Sequence, residues 1–369
     1  MHIALIISSL LPGGAERVLS QLANGWISHG HKITIITFSD PNVLPFYYLD
    51  ERICLHQLNQ LANREGSLLW RLKNIVKRIL KLRQALKRVK PDVIVSFVDV
   101  VNITALLANA RLQIPIIVCE RTHPRYYQLP ALYNRLRLLT YSWADKVVSQ
   151  TASASGYFSK IPHSKKAIIP NYVKKPARQK KEADILRPVR NIISVGRLCP
   201  HKGFGALITA FSEIVRQKPD ITLTIYGEGA ERQNLESLIR ELNLTASVFL
   251  PGTVRDIEGV MYQADLFVFP SHYEGFPNAL CEAMAMGLPV IASNCSGNID
   301  IIREGVDGRL FGVGDVAQLI RLMEELIEDA PQRVRLSEGA MDLPDRFSEA
   351  SVLQKWDAVL AEVGEFREL

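Results

Sequence analysis

Residues 265–293 read DLFVFPSHYEGFPNALCEAMAMGLPVIAS. The opening run, Leu266 to Phe269, is apolar without alternation, the pattern of a strand covered on both faces. A turn carrying Gly275 and Pro277 follows, then small helix-forming residues from Asn278 onward, and "PVIAS" starts a second apolar run. Strand, turn, helix and strand in so short a span make a βαβ unit, whose strands pair in parallel because the helix crosses over between them. Two carboxylates stand in this apolar stretch, Glu274 in the turn and Glu282 about one helical turn inside. A carboxylate is expensive to bury alone, so both require partners from elsewhere.

The same alternation runs along the whole chain. "HIALIIS", "HKITIITF", "DVIVSFV", "IPIIVCE" and "DKVVSQ" read as strands in the first half; "NIISVGR", "TLTIYGEG", "SVFLPG", "DLFVFPS" and "PVIAS" do so in the second. Helical stretches separate them, which makes the fold class α/β with doubly wound parallel sheets. At 369 residues the chain is too long for one ordinary core. Residues 174–190, "KKPARQKKEADILRPVR", are charged, contain proline and lack apolar periodicity. The expected organisation is therefore a first domain over 1–175, a linker over 176–190, a second domain over 191–345 and a closing segment over 346–369.

Charge is divided unevenly. Residues 1–180 hold 26 Lys and Arg against 9 Asp and Glu, whereas 181–369 hold 18 against 29. A basic half joined to an acidic half points to an anionic surface or ligand at the first domain. Five cysteines, without a C-x-x-C pair, read as reduced thiols in a cytoplasmic protein with no disulfide framework. The opening "MHIALIISSLLPGG" lacks a basic leader and reads as a buried first strand, and no run reaches the ~18 apolar residues of a membrane span. In "SLLWRLKNIVKRILKLRQALKRVK", residues 67–90, leucines and isoleucines recur at helical spacing while Lys77, Lys81 and seven other cations fill the rest, with no acid. Two readings stand: a core-packed helix with a solvated face, or a basic amphipathic helix seated on anionic lipid headgroups. Aromatic residues are not interleaved with its cations as base stacking requires, so no nucleic-acid partner is expected.

Three strand-to-helix turns carry chemistry. After the first strand, "LLPGGAERVLSQLANGW" places Gly13 and Gly14 where backbone amides approach a ligand, with Glu16 and Arg17 beside them. The second half opens likewise with "NIISVGRLCPHKGFGALITAF", where Gly196, Arg197 and Lys202 converge on a helix start. A diphosphate suits this turn, since Arg offers a fork and Lys a compact charge. The next strand ends in "YGEG", with Gly227 and Gly229. The third turn holds Glu274, followed by the amides of Gly275, Phe276, Asn278 and Ala279, which can cap a phosphate oxygen; Pro277 has none to give. Carboxylates accept from adjacent hydroxyls, so Glu274 and Glu282 suit sugar and ribose.

"EGFPNALCEAMAMGLPVIAS" resembles the E-x7-E signature of retaining GT-B glycosyltransferases, above all glycosyltransferase family four. "GGAER", "IIPNYV", "VGRLCPHKGF", "YGEGAERQNLESLI" and "FLPGTV" match that family in order, so the resemblance covers essentially the whole chain. It is strongest to bacterial members that extend lipid-linked oligosaccharides, O-antigen or other surface glycans. The resemblance implies two facing Rossmann-like domains, an acceptor domain and then a nucleotide-sugar domain, with a final helix crossing back, for which 346–363 is the candidate.

By the same resemblance, Arg197 and Lys202 would hold the donor diphosphate, Glu274 the donor sugar hydroxyls and Glu282 the ribose, with Gly14 near the reacting centre. Arg197, Lys202 and Glu274 are thus the expected catalytic residues. Many members carry a His just after the strand matching "IPIIVCE"; here Arg121 stands there, with His123 two residues on, and both are assigned to the acceptor. In "SGNIDII" Asp300 replaces a more usual Glu. No D-x-D triplet occurs, and two cations already neutralise a diphosphate, so metal-independent transfer without a cofactor is expected. The implied partners are a UDP-linked sugar, a polyprenyl-diphosphate-linked or other lipid-linked glycan, and the inner face of the cytoplasmic membrane. Two other classes compete on this frame: a non-catalytic, membrane-recruited binding protein, which releases no UDP, and a nucleotide-sugar epimerase, which needs no acceptor.

Overall fold

The structure, a computed structural model, describes residues 1–60, 68–127 and 129–365, with the backbone alone for 68–72 and 365. The chain divides into two compact units: Met1–Asn171 with Ala350–Leu369, and Tyr172–Glu349.

In the first unit the strands are β1 (His2–Ile7), β2 (Lys32–Thr37), β3 (Cys54–Gln57), β4 (Val93–Phe97), β5 (Ile116–Cys119), β6 (Lys146–Ser149) and β7 (Lys166–Ile168). They form one sheet in the order β3-β2-β1-β4-β5-β6-β7. All pairs are parallel, with Ile3 of β1 opposite Ile33 on one side and Val93 on the other. Helices α1 (Gly14–Ser28), α2 (Leu68–Val89), α3 (Asp99–Asn109), α4 (Ala131–Thr140) and α5 (Ala152–Gly156) cover it, which explains why β4 and β5 are buried at every position and β1 at all but His2. The winding direction reverses between β1 and β4, and the carboxyl ends of strands beside such a reversal form a crevice.

The second unit repeats the plan with β8 (Asn191–Val195), β9 (Thr222–Tyr226), β10 (Val248–Gly252), β11 (Leu266–Phe269), β12 (Val290–Ser293) and β13 (Arg309–Phe311), ordered β10-β9-β8-β11-β12-β13. Its helices are α6 (Glu182–Ile185), α7 (Phe204–Gln217), α8 (Arg232–Glu241), α9 (Ile257–Gln263), α10 (Asn278–Ala285), α11 (Val316–Glu328), α12 (Ala330–Ala340) and α13 (Leu343–Arg346). The reversal falls between β8 and β11. The last helix, α14 (Glu349–Glu365), belongs to the first unit. There Trp356 meets Trp26 edge to face at 5.7 Å, and the Trp26 indole donates to Asp357 Oδ1 at 3.1 Å.

Two expectations need correction. Residues 176–190 are no free linker. Ile185 and Val189 are buried, Lys180 N–H donates to Met286 O at 2.8 Å, and the buried Arg333 guanidinium donates to the carbonyls of Ile185 and Arg187. The charges that made the segment look solvated hide a strap satisfied by backbone and guanidinium hydrogen bonds. At the other end, the closing helix starts at 349, not 346. Arg346 pairs with Asp307 at 2.9 Å and Val173 N–H donates to Phe347 O at 2.8 Å, so both residues stay with the second unit.

Candidate functional site

In the second unit the crevice is built by the turns after β8, β9 and β11. The chain leaves β8 through Gly196 and the exposed Arg197, makes a short 3-10 turn over Pro200–Lys202, and enters α7 through Gly203. Gly203 adopts φ +69°, and a Cβ there would lie 2.2 Å from Pro270 O, so the turn rests directly on the end of β11. Gly227, at φ +145°, brings the end of β9 against Gly196, whose carbonyl would lie 1.9 Å from an added Cβ. His201 stacks on Tyr273 at 4.7 Å, and His272 N–H donates to His201 O at 2.7 Å, joining the β8 and β11 turns.

These contacts deliver Lys202 to Glu274. Nζ lies 2.6 Å from Oε1, the two side chains are only 15% and 11% exposed, and the ammonium sits 4.8 Å over the Phe269 ring. A pair this secluded forms because either charge alone would be costly to bury. Glu282 is half-buried in the second turn of α10. Among the amides expected to cap a phosphate, that of Asn278 is turned inward to Phe276 O at 3.0 Å. Sequence patterns missed Asn298, which is fully buried and donates to Ser293 O at 2.9 Å, while Ser293 Oγ donates to Ser271 O; together they tie the end of β12 to the β11 turn.

The first unit gathers a different set of groups at its strand ends. Gly13 precedes α1, and the Glu16 carboxylate lies over it, so close that a Cβ on Gly13 would fall 2.1 Å from Oε2. Arg17 N–H closes the first turn on Gly13 O at 3.0 Å. Arg121, just past β5, stacks its guanidinium 4.8 Å over Phe97 and donates to Asn171 Oδ1 at 3.3 Å. Its Nε and Nη2 are buried without hydrogen-bond partners. Burial pulls its pKa down to about 10, against the opposing fields of Cys119 and Glu16. His123 is buried, with Nε2 at 2.9 Å from Ser153 Oγ and Nδ1 accepting from Arg125 N–H at 3.3 Å. Both ring nitrogens are thus engaged inside the domain, and burial holds the imidazole neutral-leaning, below its usual pKa. Lys77 is exposed on α2, and Lys81 donates to Leu58 O at 3.3 Å.

Glu120, the residue before Arg121, belongs to a buried polar network that motif reading missed. Tyr141 Oη donates to Glu120 Oε1 and receives the Asn102 amide at 3.0 Å; Asp99 and Arg137 complete the electrostatic group. Val98, next to Asp99, holds φ +75°, a strained conformation for a β-branched residue. The available signal was a carboxylate directly after an apolar strand, present in "IPIIVCE" and "DVIVSFVDV". Among the described residues, no group of three or more His, Cys, Asp or Glu is arranged to hold a metal ion.

Two doubly wound units of this topology define a GT-B protein. HepE of Anabaena, solved with UDP and glucose, superposes with a TM-score of 0.80 at 19% identity, covering 97% of this chain and 99% of that one. The sucrose-phosphate synthase of Thermosynechococcus elongatus gives 0.84 at 19% identity over 98% of both chains. Residues 12–174 match the model of Glycosyltransferase Family 4 and residues 177–342 that of Glycosyl transferases group 1. The chain belongs to these glycosyltransferases. Among curated relatives, it is 27% identical to the GalNAc-alpha-(1->4)-GalNAc-alpha-(1->3)-diNAcBac-PP-undecaprenol alpha-1,4-N-acetyl-D-galactosaminyltransferase of Campylobacter jejuni, over 98% of this chain and 99% of the relative. It is 23% identical to the amylovoran biosynthesis glycosyltransferase of Erwinia amylovora, over 94% and 96%.

Proposed function

We propose that this chain is a retaining, metal-independent glycosyltransferase that moves a hexose or N-acetylhexosamine from a UDP-linked donor to a lipid-carried glycan. It would act in bacterial surface-glycan or lipid-linked oligosaccharide assembly, on the inner face of the cytoplasmic membrane. The observation that carries this reading is the Lys202–Glu274 pair at the β8–β11 reversal, 2.6 Å apart and largely buried. A donor diphosphate entering the crevice replaces Glu274 as the partner of Lys202, with the exposed Arg197 supplying a second cation. The freed carboxylate accepts from the donor sugar hydroxyls, and Glu282 from the ribose. Stabilising the departing diphosphate is then the chief catalytic device, and its oxygen takes the acceptor proton, so no protein nucleophile is needed. The undecaprenol-linked acceptor in the Campylobacter relative's name and the UDP and glucose bound to HepE support the choice of substrates.

The test is direct. Arg197→Ala and Lys202→Ala are each expected to lower transfer by roughly a hundredfold or more, the scale of losing one charge-stabilising group, with unchanged circular dichroism. Full activity in both variants overturns the diphosphate assignment. A screen of nucleotide sugars for protection against thermal unfolding selects the donor, NMR of the product anomer reports retention, and undiminished transfer in EDTA is expected.

A further inference from the structure

The outward face of α4 is apolar where a solvated helix is polar. Leu132, Leu138 and Leu139 are 58%, 51% and 65% exposed, and Trp143, just past the helix, is 53% exposed. Arg135 is the exposed charge between them. Across α3 lies α2, whose outward face mixes Val76 and Leu80, both more than half exposed, with Lys73, Lys77, Lys87 and Arg88. Between α2 and α4, over α3, runs a groove lined by Ile75, Ile79, Ile103, Leu107 and Leu136, with Arg78 in its wall. The Arg78 guanidinium lies 4.5 Å over Phe38, and its Nε is buried without a hydrogen-bond partner. Contiguous exposed apolar surface of this kind marks an interaction site.

Charge decides the occupant. Residues 67–90 contain no acid, so a partner that covers this face meets cations along one flank. An apolar protein surface leaves those charges desolvated and unpaired, whereas an anionic lipid offers both hydrocarbon and negative charge. Trp beside leucines is the arrangement favoured at the boundary between headgroups and chains. We propose that α4 and Trp143 insert among the chains of an anionic membrane while the cations of α2 meet its headgroups. This rests on the membrane-acting reading above and deepens it by assigning insertion to α4, which the basic helix alone does not require.

The full chain is mixed with vesicles of phosphatidylcholine alone or with phosphatidylglycerol added. Wild-type protein is expected to sediment with the anionic vesicles, and Leu138→Ser/Leu139→Ser/Trp143→Ser is expected to bind roughly tenfold or more weakly, because its lost contacts are hydrocarbon insertion. Lipids brominated on their chains are expected to quench wild-type fluorescence, with the quenching lost in Trp143→Phe. All three serines fall at exposed positions, and transfer to a water-soluble acceptor is expected to be retained. Unchanged vesicle binding in the triple variant overturns the insertion while leaving the enzymatic reading intact. So does a concentration-dependent dimer that the triple variant abolishes with vesicle binding unaltered, which assigns the face to a second copy of the chain. Absence of transfer with every nucleotide sugar sinks the enzymatic reading independently.

Discussion

Glu120 is buried at the end of β5, and that burial pushes its carboxyl up to about 7, with Arg137 opposing and Asp99 adding to the shift. Asp99 is raised for the same first reason. In the unfolded chain a glutamate releases its proton near 4.5, so between there and about 7 the folded state binds more protons than the unfolded one. Stability therefore falls as pH rises through that window. Glu120→Gln keeps the shape of the network and removes this titration; its urea midpoint is expected to vary less between about pH 5 and pH 7 than the wild type's. An unaltered pH slope in the variant assigns the titration to Asp99 instead. At this scale the sequence marked the positions but not the pairings. Lys202 and Glu274 were each legible as strand-end groups, yet their ion pair spans 72 positions and depends on Gly203 seating one turn on the other.

Among the elements, α2 shows both what periodicity reveals and where it stops. Leu82 and Leu86 are buried as their spacing predicts, whereas Val76, which shares that spacing, and Leu80 lie on the exposed face with lysines. The residue that opens the basic stretch, Ser67, lies outside the described residues. Replacing the exposed Lys73, Lys77 and Arg88 by Gln is expected to weaken binding to anionic vesicles, most strongly at low salt, since headgroup attraction is screened over a Debye length of about 10 Å at 0.1 M salt. Binding that is equal at all salt concentrations returns α2 to the solvated-face reading. All ten strands expected from apolar runs are present, and β3, β7 and β13 are additional. Each of those three lies at a sheet edge, is four residues or fewer, and is only partly buried. An edge strand covered on one side needs no continuous apolar run, so it leaves little pattern to find.

For the molecule as a whole, α14 makes the first unit depend on the far end of the chain. Trp26 and Trp356 are both essentially unexposed, and Lys146, itself nearly buried, pairs with Glu362. Trp356→Ala is expected to destabilise the first unit by about 3–5 kcal/mol, the usual result of emptying so large a core site. Calorimetry is expected to show the loss in one transition, with the second unit's unchanged; an equal shift in both would mean that the units unfold together. What the sequence by itself determined is the layered α/β plan, the parallel pairing of its inner strands and the three glycine- or cation-bearing turns. These depend on local periodicity and on residue types with narrow conformational or chemical use. Only the tertiary structure decided the division at Asn171 and Tyr172, the start of α14 at Glu349, the strap made from an apparent linker, and the partners of Glu274 and Glu120. Each of these rests on burial and hydrogen bonding between residues far apart in the chain, where the free energy of desolvating a charge, not local preference, selects the contact.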